Sequence, residues 1–221
     1  MYSVKEVYYT IQGEGYHTGR PAIFLRFTGC NLWSGLEKDR PTAICDFCDT
    51  DFVGTDGPGG GKFNSSIKLA NHALSFWPAD SKLKPFLVCT GGEPLLQIDS
   101  NFINSFHDLD FEIAVETNGT IIPPDGLDWI CVSPKVGSNL ILKTGDELKF
   151  VYPQIGKNPK EFEDLSFNYF SLQPMDNANK DENTKKTIEF CHNNPRWSMS
   201  LQTHKFLSLI HISEPTRRYA I

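Results

Sequence analysis

The chain has 221 residues, of which 39% are hydrophobic and 22% charged, enough for one domain with a substantial core or at most two small ones. A net charge of −6 argues against a nucleic-acid partner, which would need a basic face. No apolar run approaches membrane-spanning length, and Met1 to Thr10 lacks the apolar core of a signal peptide, so a cytoplasmic protein with no membrane partner is expected.

Taken in order, the chain alternates. Val4 to Thr10 and Ala22 to Thr28 are rich in β-branched and aromatic residues and read as strands, joined by the glycine-rich I-Q-G-E-G-Y. The stretch G-T-D-G-P-G-G-G-K reads as a loop. Ser66 to Trp77 has the apolar spacing of a helix, as has Ile98 to His107. Further strands are expected at Phe86 to Thr90, Phe111 to Glu116, Trp129 to Ser133, Leu148 to Tyr152, Tyr169 to Gln173 and Ser198 to Gln202. A short acidic helix near Pro159 to Leu165 and a clearer one over Thr184 to Asn193 complete the pattern. Strands alternating with helices imply an α/β fold with a parallel sheet and right-handed crossovers. The connections 117–128 and 134–146 are too short or too rich in proline and glycine for full helices. A complete eightfold barrel needs about 250 residues, so a partial six-stranded (βα)6 barrel with shortened crossovers fits better.

Between Gly29 and Asp51 lie three cysteines, Cys30, Cys45 and Cys48, spaced C-x14-C-x2-C. Three thiolates suit a 4Fe–4S cluster with one iron left without a protein ligand, whereas a structural zinc site wants four closed ligands. A lone C-x2-C also fits zinc or redox chemistry. Cys89, Cys131 and Cys191 sit in strand-like or helix-like runs and read as small buried hydrophobes in a reduced protein. His72, His107 and His192 fall on helix-like segments and read as surface residues.

Other polar and glycine-rich signals cluster at strand ends, where a parallel sheet places its functional groups. Phe86–Thr90 runs into Gly91-Gly92-Glu93-Pro94, whose glycines let the backbone approach a ligand but equally suit a plain turn. The next tips are Glu116-Thr117-Asn118-Gly119, Ser133-Pro134-Lys135 and Gln173-Pro174-Met175-Asp176. Arg26 stands alone in an apolar strand, placed either to grip a carboxylate or to face solvent. Asp49-Thr50-Asp51 offers oxygens for Mg²⁺, or forms a solvated turn.

Three cysteines ending in Cys45-Asp46-Phe47-Cys48 and followed by G-G-E-P resemble the radical S-adenosylmethionine superfamily, although its usual C-x3-C-x2-C spacing is here lengthened. That insertion, with Y-T-I-Q-G-E-G, R-F-T-G-C-N-L-W, E-T-N-G, S-P-K, Q-P-M-D and Q-T-H-K in order, closely resembles the 7-carboxy-7-deazaguanine synthase family over Val4 to Leu209. The resemblance implies a modified partial barrel, usually homodimeric. It implies conversion of 6-carboxy-5,6,7,8-tetrahydropterin to 7-carboxy-7-deazaguanine, with loss of ammonia, on the route to queuosine and other 7-deazapurines. It further implies that Cys30, Cys45 and Cys48 ligate a 4Fe–4S cluster and Thr50 a Mg²⁺ ion. S-adenosylmethionine would be held by Gly92, Glu116, Ser133, Pro134, Lys135, Gln173, Pro174, Met175 and Asp176. Ile11, Gln12, Gly13, Glu14, Arg26 and Thr90 would hold the pterin, and an electron donor such as flavodoxin or ferredoxin would reduce the cluster. Two other readings remain open on the sequence: an activase that makes a glycyl radical on a protein, and an iron–sulfur or zinc module without radical chemistry.

The expected domain spans 1–209. Residues 210–221 show no continuing period, Glu214-Pro215 breaks whatever Ile210 to Ser213 could start, and the string resembles translated adapter read-through. It is expected to be non-native, the alternative being an extension that makes a dimer contact.

Overall fold

The computed structural model describes residues 1–207, so the tail at 210–221 lies outside the described residues. Nine strands form one sheet: β1 (Tyr2–Ile11), β2 (Pro21–Phe27), β3 (Gly61–Phe63), β4 (Phe86–Gly91), β5 (Glu112–Thr117), β6 (Trp129–Val132), β7 (Thr144–Tyr152), β8 (Ser166–Pro174) and β9 (Trp197–Met199). Their order is β3-β1-β2-β4-β5-β6-β7-β8-β9. From β2 and β4 through β9 every pair is parallel, while β1 runs antiparallel to both β2 and β3.

This is the expected α/β class: the eight strands read from the sequence are present and β3 adds a ninth, so the sheet is wider than that of a six-stranded barrel. The glycine-rich stretch read as a loop ends in β3, which pairs Tyr2 with Phe63. No helix joins β5 to β6 or β6 to β7, as the short connections foretold. The last expected strand is cut short, because the chain leaves β9 after Met199 and turns into a short helix over Thr203–Phe206.

Strand alternation sorts the sheet into two faces. One carries Ile23, Leu25 and Phe27 of β2, Leu87 and Cys89 of β4, Ile113 and Val115 of β5, Leu148 and Phe150 of β7, and Phe170 and Leu172 of β8. Against it pack α1 (Ser66–Leu74) through Leu69, Ala70 and Ala73, and α2 (Ser100–His107) through Phe102, Ile103 and Phe106. A helix as short as α2 is marginal alone. Its buried side chains, at roughly 1.5–3 kcal/mol each, outweigh that cost, and Asp99 caps it by accepting from the Phe102 amide at 2.8 Å. The third long helix, α3 (Lys180–Asn193), packs on β8 and β9.

The opposite face is apolar at the base of the strands, with Ala22, Phe24, Phe86, Val88, Ala114 and Trp129 packed together. One step further along the same strands the alternation delivers Arg26, Thr90 and Glu116. Arg26 is level with Thr90 across β2 and β4. In β1 a bulge between Val4 and Glu6 shifts the register. Val4 and Val7 therefore both reach the helix-covered core, although three residues apart, while Glu6 pairs with Arg26 on the open face.

The loop after β4 is tied to the first two strands by one side chain. Gln97 accepts from the Ser3 amide at 2.7 Å and donates to the carbonyls of Ser3 at 3.2 Å and Thr28 at 2.9 Å. Leucine at 97 would take the side-chain partner from the Ser3 amide and the Thr28 carbonyl, while the Ser3 carbonyl would keep the Thr28 amide at 3.0 Å. Gln97→Leu is therefore expected to lower the free energy of unfolding by about 1–3 kcal/mol, read by urea denaturation; a change of only a few tenths would show that water replaces the tie.

Candidate active site

The 14 residues between Cys30 and Cys45 form a closed loop that returns to its start. The amides of Ile44 and Cys45 both donate to the Leu32 carbonyl, at 3.1 and 3.5 Å. Leu32 and Trp33 are buried, and Phe52 meets the Trp33 ring edge-on at 5.6 Å. Over Trp33 lies the Arg40 guanidinium, 4.1 Å from the ring centroid, which also donates to the backbone carbonyls of Asp46 and Cys48. A turn of 3₁₀ helix, Glu37–Thr42, spans the outer part of the loop. The long insertion is thus a folded clasp that puts Cys45 and Cys48 back beside Cys30.

The thiols of Cys45 and Cys48 are hydrogen-bonded, which brings Cys48 down to about 7 and pushes Cys45 up. Burial pushes Cys30 up as well, and its sulfur accepts from the Leu32 amide at 3.4 Å. Among the described residues, no set of three or more His, Cys, Asp or Glu side chains is gathered tightly enough to hold a single metal ion. Three thiols around one cavity, without a fourth ligand, fit a multi-iron cluster better than a tetrahedral zinc ion.

That cavity, of about 250 Å³, lies over the C-terminal ends of the strands. Its walls take in Cys30, Cys45, Cys48 and Thr50, Ile11 to Glu14, Arg26, Thr90, Gly92, Glu116, Ser133, Lys135 and Gln173 to Asp176. Every residue that the family resemblance assigns to a ligand is therefore there except Pro134, which is buried, its carbonyl accepting from Gln154 at 3.3 Å. Gly92 could carry no other side chain, because a Cβ would overlap the Gly29 carbonyl beside Cys30.

Two of the wall's carboxylates share one cation. Lys149 of β7 is 2.9 Å from Glu14 and 2.8 Å from Glu116, with its own side chain 6% exposed. Burial alone would raise the Glu14 carboxyl, but the Lys149 ammonium, with smaller help from His204 and Gln202, brings the group down to about 2. For Glu116 burial prevails over the same lysine, and its carboxyl is pushed up. The turn that presents Glu14 is held from several sides. Thr203 donates twice to the Gly13 carbonyl, Ser200 accepts from the Gly15 amide, and Glu147 accepts from the Tyr16 amide. Gln202 donates to Glu14 itself at 3.1 Å. A Cβ on Gly13 would collide with His204.

The structure reassigns some polar neighbours. Asp49 and Asp51, which read as further oxygens for a cation, are each paired with a lysine: Asp49 with Lys205 at 2.9 Å and Asp51 with Lys5 at 3.0 Å. Only Thr50 and Asp49 of that trio reach the cavity wall. Arg26 faces the site and not solvent, and its Nε donates to Glu6 at 2.7 Å. His72, read as a surface residue, is half-buried and bonded to the Gly59 carbonyl at 2.8 Å.

Sequence reading missed Lys149, Glu6, Tyr8 and Gln202 as parts of the site. A lysine or glutamate inside an otherwise apolar strand was the available signal, as it was for Arg26. The roles of Glu147 and Ser200 had no local signal, since both act on a turn more than 130 residues away.

No family model matches the chain. Among curated proteins it is 56% identical to the 7-carboxy-7-deazaguanine synthase of Bradyrhizobium diazoefficiens over 208 residues, covering 94% of this chain and 99% of that one. The chain belongs to the 7-carboxy-7-deazaguanine synthase family. It is accordingly an enzyme, a lyase. The family's member from Burkholderia multivorans is 50% identical with the same coverage of both chains. A crystal structure of QueE from Escherichia coli superposes with a TM-score of 0.66 at 25% identity, over 90% of this chain and 93% of that one. Among the described residues no helix is long and apolar enough to cross a membrane.

Replacing Lys149 by methionine would leave Glu14 and Glu116 facing each other without their cation, at an expected cost of about 3–5 kcal/mol near neutral pH. In the wild type, Glu14 contributes stability above the ordinary carboxylate range and loses it as pH falls toward about 2. In Lys149→Met both carboxyls are pushed up, so the variant's penalty shrinks as pH falls through their raised values. Urea denaturation near pH 7 and near pH 5 should show the gap to wild type narrowing at the lower pH; an equal gap at both would show that the carboxylates do not set it.

Proposed function

We propose that this member of the 7-carboxy-7-deazaguanine synthase family is a radical S-adenosylmethionine enzyme. It converts 6-carboxy-5,6,7,8-tetrahydropterin to 7-carboxy-7-deazaguanine and ammonia, within 7-deazapurine biosynthesis leading to queuosine. The observation that carries this reading is the single cavity walled on one side by Cys30, Cys45 and Cys48 and on the others by the strand tips. Its volume of about 250 Å³ favours small ligands over a protein substrate threaded through it.

In this reading Cys30, Cys45 and Cys48 hold the 4Fe–4S cluster, and Gly92, Glu116, Ser133, Lys135 and Gln173 to Asp176 hold S-adenosylmethionine. When bound, this pair supplies hydrogen-atom abstraction from a carbon of the substrate. The rest is done by the chain. Gly92 lets the glycine turn pack against the Gly29 carbonyl beside Cys30, where any side chain would collide. Pro134, between Ser133 and Lys135 of the wall, belongs to the same S-adenosylmethionine-holding tip. Arg26, oriented by Glu6, meets the pterin carboxylate with a planar guanidinium. Gln12 and the ionised Glu14 accept from the donor edge of the pterin ring, and Thr90 and the backbone of Ile11 and Gly13 complete its berth. Thr50 would be the protein ligand of a Mg²⁺ ion, with Asp49 and Asp51 engaged by lysines. The nine-stranded sheet is read as the family's partial barrel, residues 1–209 as one domain, and the working enzyme as a homodimer served by a flavodoxin or ferredoxin.

Anaerobic reconstitution with iron and sulfide should give a brown protein that, with reductant, releases 5′-deoxyadenosine and 7-carboxy-7-deazaguanine only when the carboxytetrahydropterin is present. Cys48→Ala should lose both the visible absorption and the cleavage. Wild-type protein that binds a cluster yet makes no deazapurine would refute the reading.

Arg26→Lys keeps the charge and loses the planar two-point grip. Its KM for the pterin should rise about tenfold or more, as expected for about 1.4 kcal/mol or more of lost binding, with the cluster absorption unchanged. An unchanged KM would remove Arg26 from the substrate's berth.

A further inference from the structure

Lys149 belongs to neither ligand's set of contacts, yet it touches both sets. Its ammonium lies 2.9 Å from Glu14, on the pterin side of the cavity, and 2.8 Å from Glu116, on the S-adenosylmethionine side. We propose that Lys149 couples the two halves of the site, so that the pterin and S-adenosylmethionine each tighten the binding of the other. The inference rests on the assignment of Glu14 and Glu116 to the two ligands made above.

The physical argument concerns one cation divided between two buried anions. The lysine is almost fully enclosed, so its charge is shared in a medium of low polarity, where competition for it is strong. Glu147, also buried, adds negative charge nearby, although it is bonded to Ser171 and the Tyr16 amide. The other titratable side chain facing Glu14 is His204, and Gln202 donates to Glu14. With two carboxylates and one ammonium, the pair as a whole is short of positive charge. Burial and the neighbouring carboxylates keep the Glu116 carboxyl raised despite Lys149.

A pterin that offers N–H donors to Glu14 takes over part of what Lys149 supplies there. The ammonium can then pair more fully with Glu116 at 2.8 Å and hold that buried group in its ionised form, the form that accepts from both hydroxyls of a ribose. The reverse holds when a ribose hydroxyl engages Glu116 first. Linkage makes the two effects equal in size. The lysine is held for this by the sheet: Lys149 is in register with Ser171 of β8 and lies two residues beyond Glu147 on the same face of β7.

The test uses cluster-loaded protein under anaerobic conditions without reductant, so that nothing turns over. The Kd of S-adenosylmethionine is measured by equilibrium dialysis with and without saturating 6-carboxy-5,6,7,8-tetrahydropterin. Wild type should bind S-adenosylmethionine about fivefold or more tightly when the pterin is present. In Lys149→Met the ratio should fall to near one. Glu116→Gln, which keeps the side chain's shape and the Glu14 ion pair, should do the same if the methionine variant folds poorly. A lysine that served only to stabilise the fold would weaken both measurements and leave their ratio intact, and that result overturns the proposal. So does a wild-type ratio of one, in which case both ligands bind and the functional reading stands. Failure of the wild type to bind either ligand would overturn the functional reading and the coupling with it.

Discussion

Glu93 is fully buried at the turn where β4 ends, and its carboxylate gathers three donors. It accepts from the Leu95 amide at 3.0 Å, the Thr117 hydroxyl at 2.8 Å and the Asn118 amide at 2.8 Å. An enclosed carboxylate is costly, and burial does push this one up; the three bonds offset that penalty. In doing so they fix the tip of β4 against the tip of β5. The Thr117 hydroxyl also accepts from the Gly119 amide, and Asn118 donates onward to Asn31 in the cysteine loop at 2.9 Å. One buried carboxylate thus aligns the glycine turn, the Glu116 strand and the loop that carries Cys30.

The inserted loop solves a problem of chain entropy. Cys30 and Cys45 reach the same cavity across 14 residues, and an open excursion of that length would carry its own closure cost. Trp33, Phe52 and the Arg40 guanidinium give the loop its own small core, stapled by backbone bonds to Leu32. The lengthened spacing therefore does not loosen the cysteine set.

A second clasp closes the other side of the cavity. Lys205, in the short helix that ends the described residues, pairs with Asp49 beside the cysteines and with Asp176 at the tip of β8. Gln202 and Thr203, from the same segment, hold the Gly13–Glu14 turn. Neighbouring residues of one segment thus brace β1, the cysteine loop and β8 together, and Asp49, one of the two acids flanking Thr50, is paired in the process.

The sequence by itself determined the strands, the three cysteines and most of the polar strand tips that line the cavity. These signals are local: a period of two, a glycine pair, a thiol spacing, and a polar residue at the tip of an apolar run. Arg26 was legible because a lone charge in an apolar strand is costly to bury unless a partner or a ligand meets it. Lys149 carries the same signature and went unread, since its meaning lies in carboxylates 135 and 33 residues away that only the sheet order β5-β6-β7 and the return of the last segment bring to it. The fate of Asp49 and Asp51 was likewise decided in three dimensions, by lysines from opposite ends of the chain. Strand periodicity says which face a side chain joins; which charges share that face, and so which are neutralised and which remain for a ligand, depends on pairings between strands that sequence spacing does not encode.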